Sequence, residues 1–305
     1  MIRRIWLAAF AMLAAFSAMS QEVRNAGASI NTEYHEAFSS ITPDGLTMFI
    51  SSNRPGGFGE AAKDVFWARA SYDIYVAHRG TISSSWGPAK NLGSMINTAG
   101  TEHSPMLSPD GHWLYFVSDR TDLENFGGID LFASYREDVT DDLGWEEPFN
   151  LGESVNSIWA ESCPFFVDPQ DGDAGLLYFV QASSADLASL DFKVSELDRA
   201  TGAWSHAQTM KISTDVGDGH FDAEHGYIWG FDFEGGLGAS DIWLLNSMSG
   251  SGTNQSGNLV NMGSPINTEF EDTMPSATAD GSRLYFNSDR PGGLGGFDIY
   301  EAILK

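Results

Sequence analysis

Short, bulky apolar runs recur along the chain, broken by Asp-Gly turns and by glycine-rich stretches. The pattern is clearest at the end. Thr273–Ala277 and Arg283–Asn287 are two apolar-rich runs flanking Asp280-Gly281, a tight-hairpin signal because Gly and Asp accept φ > 0 at little cost. Arg290-Pro291-Gly292-Gly293-Leu294-Gly295-Gly296 follows. It cannot be strand interior, since proline removes a ladder donor and glycine weakens pairing. It reads as a loop, and Phe297–Ile303 as a third strand. Earlier in the chain a fourth strand is predicted around Lys90–Gly93, Phe149–Gly152 and Val260–Gly263. The predicted unit is a four-stranded antiparallel sheet.

That unit is written five times, over roughly 31–96, 97–155, 156–209, 210–266 and 267–305. The last copy carries Asn267, Asp272, Pro275, Asp280-Gly281, Leu284-Tyr285-Phe286, Ser288-Asp289-Arg290 and Asp298-Ile299-Tyr300. The first has Asn31, Glu36, Asp44-Gly45, Ser52-Asn53-Arg54 and Asp73-Ile74-Tyr75; the second has Asn97, Glu102, Asp110-Gly111, Ser118-Asp119-Arg120 and Asp130-Leu131-Phe132. The third (Asn156, Glu161, Leu177-Tyr178-Phe179, Asp191) is weaker, and the fourth aligns to the fifth from Tyr227 to Trp243. A period of roughly 50–60 residues lies in the range of propeller blades. The fifth unit lacks a fourth strand, but Arg24–Asn31 matches Lys90–Asn97 in spacing. The expected fold is all-β: a five-bladed β-propeller over residues 21–305, closed by residues 22–30 as the outer strand of the last blade, which would remove an open seam.

Ser288–Tyr300, preceded by Pro275 and Asp280-Gly281-x2-Leu-Tyr-Phe, resembles the WD40-like repeat of TolB-type propellers. It looks closer still to the propeller repeats of OmpA-type envelope proteins. The resemblance spans residues 24–305 and implies the propeller fold; it says little of function, because propellers host binding, scaffolding and catalysis alike. The sequence carries neither TolB's N-terminal domain nor the OmpA-type carboxy domain, so peptidoglycan binding through that module is not carried over.

Composition narrows the partners. The 305 residues hold 42 Asp+Glu against 16 Lys+Arg, a formal net charge of -26. Nucleic acid is excluded as a partner, since phosphate neutralisation needs a basic face, and docking on anionic lipid is equally disfavoured. The one cysteine, Cys163, allows neither an intramolecular disulfide nor a thiolate zinc site. Met1–Ser20 reads as a signal peptide: Arg3 and Arg4, an apolar stretch from Ile5 to Phe16, then Ala18 and Ser20 before the cut. That stretch is shorter than the ~20 residues a spanning helix needs. A mature chain without a membrane segment, monomeric and periplasmic or secreted, is expected.

One acid recurs five residues after each repeat Asn: Glu36, Glu102, Glu161 and Asp272, with Asp215 assigned to the fourth unit by alignment back from Tyr227. At the start of the innermost strand these acids would ring one mouth of the axial channel. Two readings stand. The ring binds a cation, with Ca2+ the candidate for all-oxygen ligands, or each acid caps local N–H groups and pairs with Arg54, Arg120 or Arg290. The recurring Asp73, Asp130, Asp191, Asp241 and Asp298 read as acceptors of turn N–H groups. His35 and His103 each adjoin a ring acid, the one arrangement resembling an acid/base pair. Cys163 reads as buried filler, and Asp168-Pro-Gln-Asp171-Gly-Asp173 as a hairpin turn. The insertion Glu60–Tyr72 brings Phe66 and Trp67 beside Lys63 and Arg69, a plausible sugar or peptide contact. The sequence has no Gly-x-Ser-x-Gly elbow and no His-Glu-x-x-His motif. The main expectation is therefore an exported, non-catalytic binding or scaffolding propeller for an envelope protein, peptide or glycan. The alternative is a carbohydrate-active hydrolase using the funnel carboxylates, since paired acids can run glycoside hydrolysis.

Overall fold

The computed structural model describes residues 22–59, 71–168, 174–182, 190–212, 221–222, 226–231, 235–251 and 254–304. The protein is an all-β propeller of antiparallel sheets. The chain opens with β1 (Glu22–Asn25) and then builds a first sheet from β2 (Glu36–Ile41), β3 (Thr47–Ser52), β4 (Asp73–His78) and β5 (Lys90–Asn91). A second sheet takes β6 (Glu102–Leu107), β7 (Trp113–Ser118), β8 (Asp130–Tyr135) and β9 (Phe149–Asn150). The third holds β10 (Glu161–Val167), β11 (Gly175–Ala182) and β12 (Leu190–Asp198), with β13 (Ala203–Trp204) and β14 (Gln208–Thr209) both paired to β12.

The fourth sheet is the least regular. Its β16 (Phe221–Asp222), β17 (Tyr227–Phe231), β18 (Ser240–Ser251) and β19 (Asn254–Asn261) are antiparallel, while β15 (Lys211–Ile212) adds a parallel edge to β19. The last sheet runs β20 (Asp272–Ala277), β21 (Arg283–Ser288) and β22 (Asp298–Ile303), and β1 pairs antiparallel with β22 from Glu22 opposite Ile303 to Asn25 opposite Tyr300.

The triplets that look too apolar for a half-buried strand are buried on both faces, because each sheet is sandwiched between two others. Along β3, Met48 and Ile50 pack with Ile30, Tyr285 and Ile299 on one side. Phe49 between them turns to Leu107, Leu114 and Phe116 on the other. Tyr115 and Val117 of β7 meet Phe166, Leu177 and Phe179 in the same way. The core is thus distributed over the sheet–sheet faces, as period-two strands require when both sides are dry.

Two devices lock neighbouring sheets. Each repeat Asn is buried and grips strand three of the preceding sheet: Asn97 Nδ2 donates to Ile74 O (3.0 Å) and its Oδ1 accepts from Ile74 N (2.8 Å). Asn31, Asn156 and Asn267 do the same to Ile299, Leu131 and Ile242. The glycine loops explain the second. Gly127, Gly238 and Gly295 lie so close to the carbonyls of Trp159, Phe270 and Tyr34 that a Cβ would clash with backbone. Only glycine permits that approach.

The innermost strands are irregular in one shared way. Ser104, Cys163 and Met274 sit at φ 52°, 51° and 53°, and the pairing shifts register across each of them. Each is the third residue of its strand and precedes Pro105, Pro164 or Pro275. The proline costs no ladder bond there, because the axial edge of the strand is unpaired.

Candidate functional site

The innermost strands begin, and the second strands end, at one face of the propeller. There the recurring acids are buried and fully engaged. Glu36 accepts from Thr32 N (2.7 Å), Thr32 Oγ1 (2.7 Å), Ser52 Oγ (2.8 Å) and Arg54 Nη2 (3.1 Å). Glu102 takes Thr98 N (2.6 Å), Thr98 Oγ1 (2.8 Å) and Ser118 Oγ (2.7 Å). Asp272 takes Thr268 N (2.6 Å) and Oγ1 (2.8 Å), with Arg290 as its ion partner. These carboxyls staple the connection before strand one to the strand itself. Burial raises the Glu36 and Glu102 pKa values, against the opposing pull of Arg54, Arg120 and the donors.

Glu161 departs from the set. It accepts from Ser157 N (3.1 Å), Ser157 Oγ (2.6 Å) and Gln181 Nε2 (3.0 Å), and its buried Oε2 has no partner. With no arginine beside it, burial pushes its pKa up to about 7. Asp215 lies outside the described residues. Phe221 and Asp222 oppose Ile228 and Tyr227, as Ser276 and Ala277 oppose Tyr285 and Leu284. Four residues separate Asp222 from Tyr227, against six between Ala277 and Leu284. The constant spacing that leads to Asp215 therefore does not run through this hairpin.

The strand-three aspartates hold the glycine loops. Asp73 accepts from Phe58 N (2.8 Å), Asp130 from Phe126 N (2.7 Å), Asp241 from Leu237 N (2.5 Å) and Asp298 from Leu294 N (2.6 Å). Each also receives an Asn amide from the outermost strand, from Asn91, Asn150, Asn261 and Asn25 respectively. Asp191 is different: it opposes Gln181 and pairs with Lys193 at 3.4 Å.

The histidines beside the acids are spoken for elsewhere. His35 is buried, and its Nδ1 accepts the Phe297 N–H at 3.1 Å. His103 has Nδ1 2.9 Å from Ser104 Oγ, and burial lowers its pKa to about 4. A neutral imidazole with that value is a poor acceptor of protons near pH 7. Cys163 is buried and free, its thiol raised to about 11 by burial. Asp168 pairs with Arg199. Phe66 and Trp67 lie outside the described residues, as does Met1–Ser20.

The accessible chemistry on this face comes from two residues that the sequence reading passed over. Glu271, half-buried just before β20, donates its backbone N–H to the exposed Asp289 carboxylate at 3.0 Å. The same backbone contact recurs as His35 to Asn53 and Thr101 to Asp119. Of these three donors, only Glu271 itself carries a carboxyl. Partial burial, and then the charge of Asp289, raise the Glu271 pKa. A carboxyl with a raised pKa next to a second carboxyl is an arrangement acid/base chemistry can use. An acid at the repeat position of His35 and Thr101 was the available signal.

No family model matches the chain, and no curated protein matches it. Solved structures do. A GH43 enzyme from Xanthomonas citri complexed with xylotriose superposes at a TM-score of 0.59, with 13% identity over 98% of this chain and 93% of that one. A GH43 beta-xylosidase/alpha-arabinofuranosidase from a compost microbial metagenome, in a calcium-free form with xylotriose, gives 0.59, 12% identity, and 93% and 96% coverage. TolB from Acinetobacter baumannii gives 0.43 and 13% identity over 88% of this chain and 54% of that one, too low to carry an argument. At these identities the likeness establishes the propeller fold. Closeness to the OmpA-type repeats finds no support among the matches. The expectation of a non-catalytic scaffold is corrected: the structures matched with a TM-score of 0.50 or more include GH43 glycoside hydrolases. The funnel carboxylates named for the hydrolase alternative, Glu36, Glu102 and Asp272, are taken up by the fold.

Proposed function

We propose that this chain is a carbohydrate-active hydrolase that works on the face where the innermost strands begin. Glu271 serves as general acid and Asp289 as the second carboxyl beside it. The reading is carried by that pair: the half-buried Glu271, with a raised pKa, and the exposed Asp289, whose carboxylate accepts the Glu271 backbone N–H. Glycoside hydrolysis needs two such groups in opposite protonation states. The propeller fold shared with glycoside hydrolases supports a carbohydrate substrate, and the xylotriose bound by two of the matched proteins suggests the first probes.

The finer architecture belongs to the same proposal. The five sheets form one ring of five blades, with β1 as the strand that seals it, and Met1–Ser20 directs the chain out of the cytoplasm as a monomer. No helix among the described residues is long and apolar enough to cross a membrane. Among the described residues no group of three or more His, Cys, Asp or Glu side chains is placed to hold a metal ion.

The test is reducing-sugar release from xylo- and arabino-oligosaccharides by the purified chain. Glu271→Gln and Asp289→Asn should each lower turnover by about 10²–10⁴, with an unchanged thermal melt. Turnover that survives both substitutions, or none on any oligosaccharide, would remove the reading.

A further inference from the structure

Glu271 lies just before β20, where the fourth sheet meets the fifth, and the register of that junction fixes what it faces. At the other junctions the N–H of the repeat acid donates to the residue before the strand-three aspartate: Glu36 to Phe297 O (2.8 Å), Glu102 to Tyr72 O (2.7 Å) and Glu161 to Ile129 O (3.0 Å). The residue ahead of the acid then runs parallel to that same strand-three residue. Ala160 opposes Ile129 in this way, and Glu271 opposes Ser240. Where the residue ahead of the acid is polar, its side chain turns onto the residue opposite. His35 Nδ1 accepts the Phe297 N–H and Thr101 Oγ1 accepts the Tyr72 N–H, each at 3.1 Å.

Phe297, Tyr72 and Ile129 bring large side chains to the strand-three position, whereas Ser240 brings only a hydroxyl. Ser240 is 1% exposed, and its Oγ has no hydrogen-bond partner. A hydroxyl shut away from water without an acceptor bears the cost of its own desolvation. Opposite it, burial and the charge of Asp289 both raise the Glu271 pKa, and among the described residues no donor to that carboxyl pulls the other way. The other charged groups nearby are engaged: Asp272 with Arg290, Glu36 with Arg54, and Asp241 with the Leu237 N–H and the Asn261 amide. A hydroxyl lacking an acceptor thus faces a carboxyl lacking a donor.

We infer that Ser240 is the positioning residue for the acid of the carboxyl pair: its hydroxyl turns to Glu271 and donates to the carboxylate as that group gives up its proton. Its role in turnover rests on the hydrolase reading; the contact itself does not. In that reading the Glu271 proton passes to the glycosidic oxygen while the bond from that oxygen to the sugar carbon breaks, its electron pair staying on the oxygen. The charge left on Glu271 then has a donor opposite it, and the Ser240 proton stays on the hydroxyl. Hydrogen bonds to an ionised acceptor are about twice as strong as those between neutral groups, so the contact tightens as the proton leaves.

A carbon-13 NMR titration of the Glu271 carboxyl in the whole chain tests the contact without turnover, the resonance being assigned by its loss in Glu271→Gln. Ile129 stands at the equivalent position of another junction, so β-branched side chains have a precedent there. Ser240→Thr and Ser240→Val are therefore a matched pair, with and without the hydroxyl. Ser240→Val and Ser240→Ala remove the donor to the ionised form and should raise the Glu271 pKa by about 1–2. Ser240→Thr should keep the wild-type value. A general acid loses activity as pH rises through its pKa, so the alkaline limb of kcat/KM on xylotriose should move up in step in Ser240→Val and stay in place in Ser240→Thr. A Glu271 titration unchanged in folded Ser240→Val and Ser240→Ala, or displaced as far in Ser240→Thr as in Ser240→Val, overturns the contact. A displaced titration with an unmoved alkaline limb overturns its role in turnover. If no oligosaccharide is cleaved, the hydrolase reading falls, and the titration still decides the contact.

Discussion

Glu301 offers the sharpest energetic test of how the first and last sheets are joined. Its carboxylate, 3% exposed, accepts from Arg24 Nε (2.6 Å), Arg283 Nη1 (2.8 Å), Tyr285 OH (2.7 Å) and Arg79 Nη1 (3.2 Å). These donors come from β1, from β21 and from the segment after β4, so one carboxylate ties three parts of the chain. Burial alone would raise its pKa. The Tyr285, Arg24, Arg79 and Arg283 contacts outweigh it and hold the group below the usual carboxylate range. Glu301→Gln removes the negative charge and leaves Arg79, whose side chain is wholly buried against Trp86, without a counter-ion. Breaking a buried ion pair from one side costs about 3–5 kcal/mol. For a domain of this size that is a fall of about 6–15 °C in Tm. Arg24 is 44% exposed, so Arg24→Ala should cost under about 1 kcal/mol. Urea unfolding of wild type and variant at pH 7.5 and pH 4 is the assay. A carboxylate with a depressed native pKa contributes stability above its unfolded pKa and loses it as pH falls through the native one. The gap between the proteins should therefore narrow on acidification. A loss under about 1 kcal/mol at pH 7.5, or a gap that widens in acid, would refute the account.

Glu161 should show the opposite pH dependence. Its native pKa of about 7 lies above the ordinary 4.5, so the native state holds the proton more tightly, and stability falls as pH rises from about 4.5 to 7. That span corresponds to roughly 3 kcal/mol; Glu161→Gln should remove its part of the slope and be at least as stable as wild type at pH 8, as read from urea midpoints. Asn97→Ala leaves the buried Ile74 N–H and C=O without their side-chain partner and should cost about 2–4 kcal/mol, whereas an exposed asparagine elsewhere should cost almost nothing. Deleting residues 21–30 should lower the melting temperature sharply, because β22 would lose its β1 partner; an unchanged melt would remove the proposed seal.

The repeat made the fold legible because each of its parts answers a local demand. Asp-Gly turns set the hairpins, and the β20, β21 and β22 boundaries fall within one residue of those expected. The strand-three aspartates also hold turn N–H groups, as their place after a glycine loop suggests. Less visible was the kink of the innermost strands at Ser104, Cys163 and Met274. The following proline is its only trace in the sequence, and a proline by itself does not state which residue turns left-handed.

What the sequence alone determined is the blade: strand order, turns, and an acid and an asparagine in register, set mostly by contacts within one repeat. The tertiary structure decided what those residues do. Whether a recurring carboxyl faces a channel or disappears into a cap depends on how far one sheet leans on the next, and the Thr32, Thr98, Ser157 and Thr268 contacts show that it disappears. Glu271 and Glu161 stand out only once the sheets are assembled. Their pKa values depend on burial and neighbouring charge, and neither quantity exists until the chain is folded.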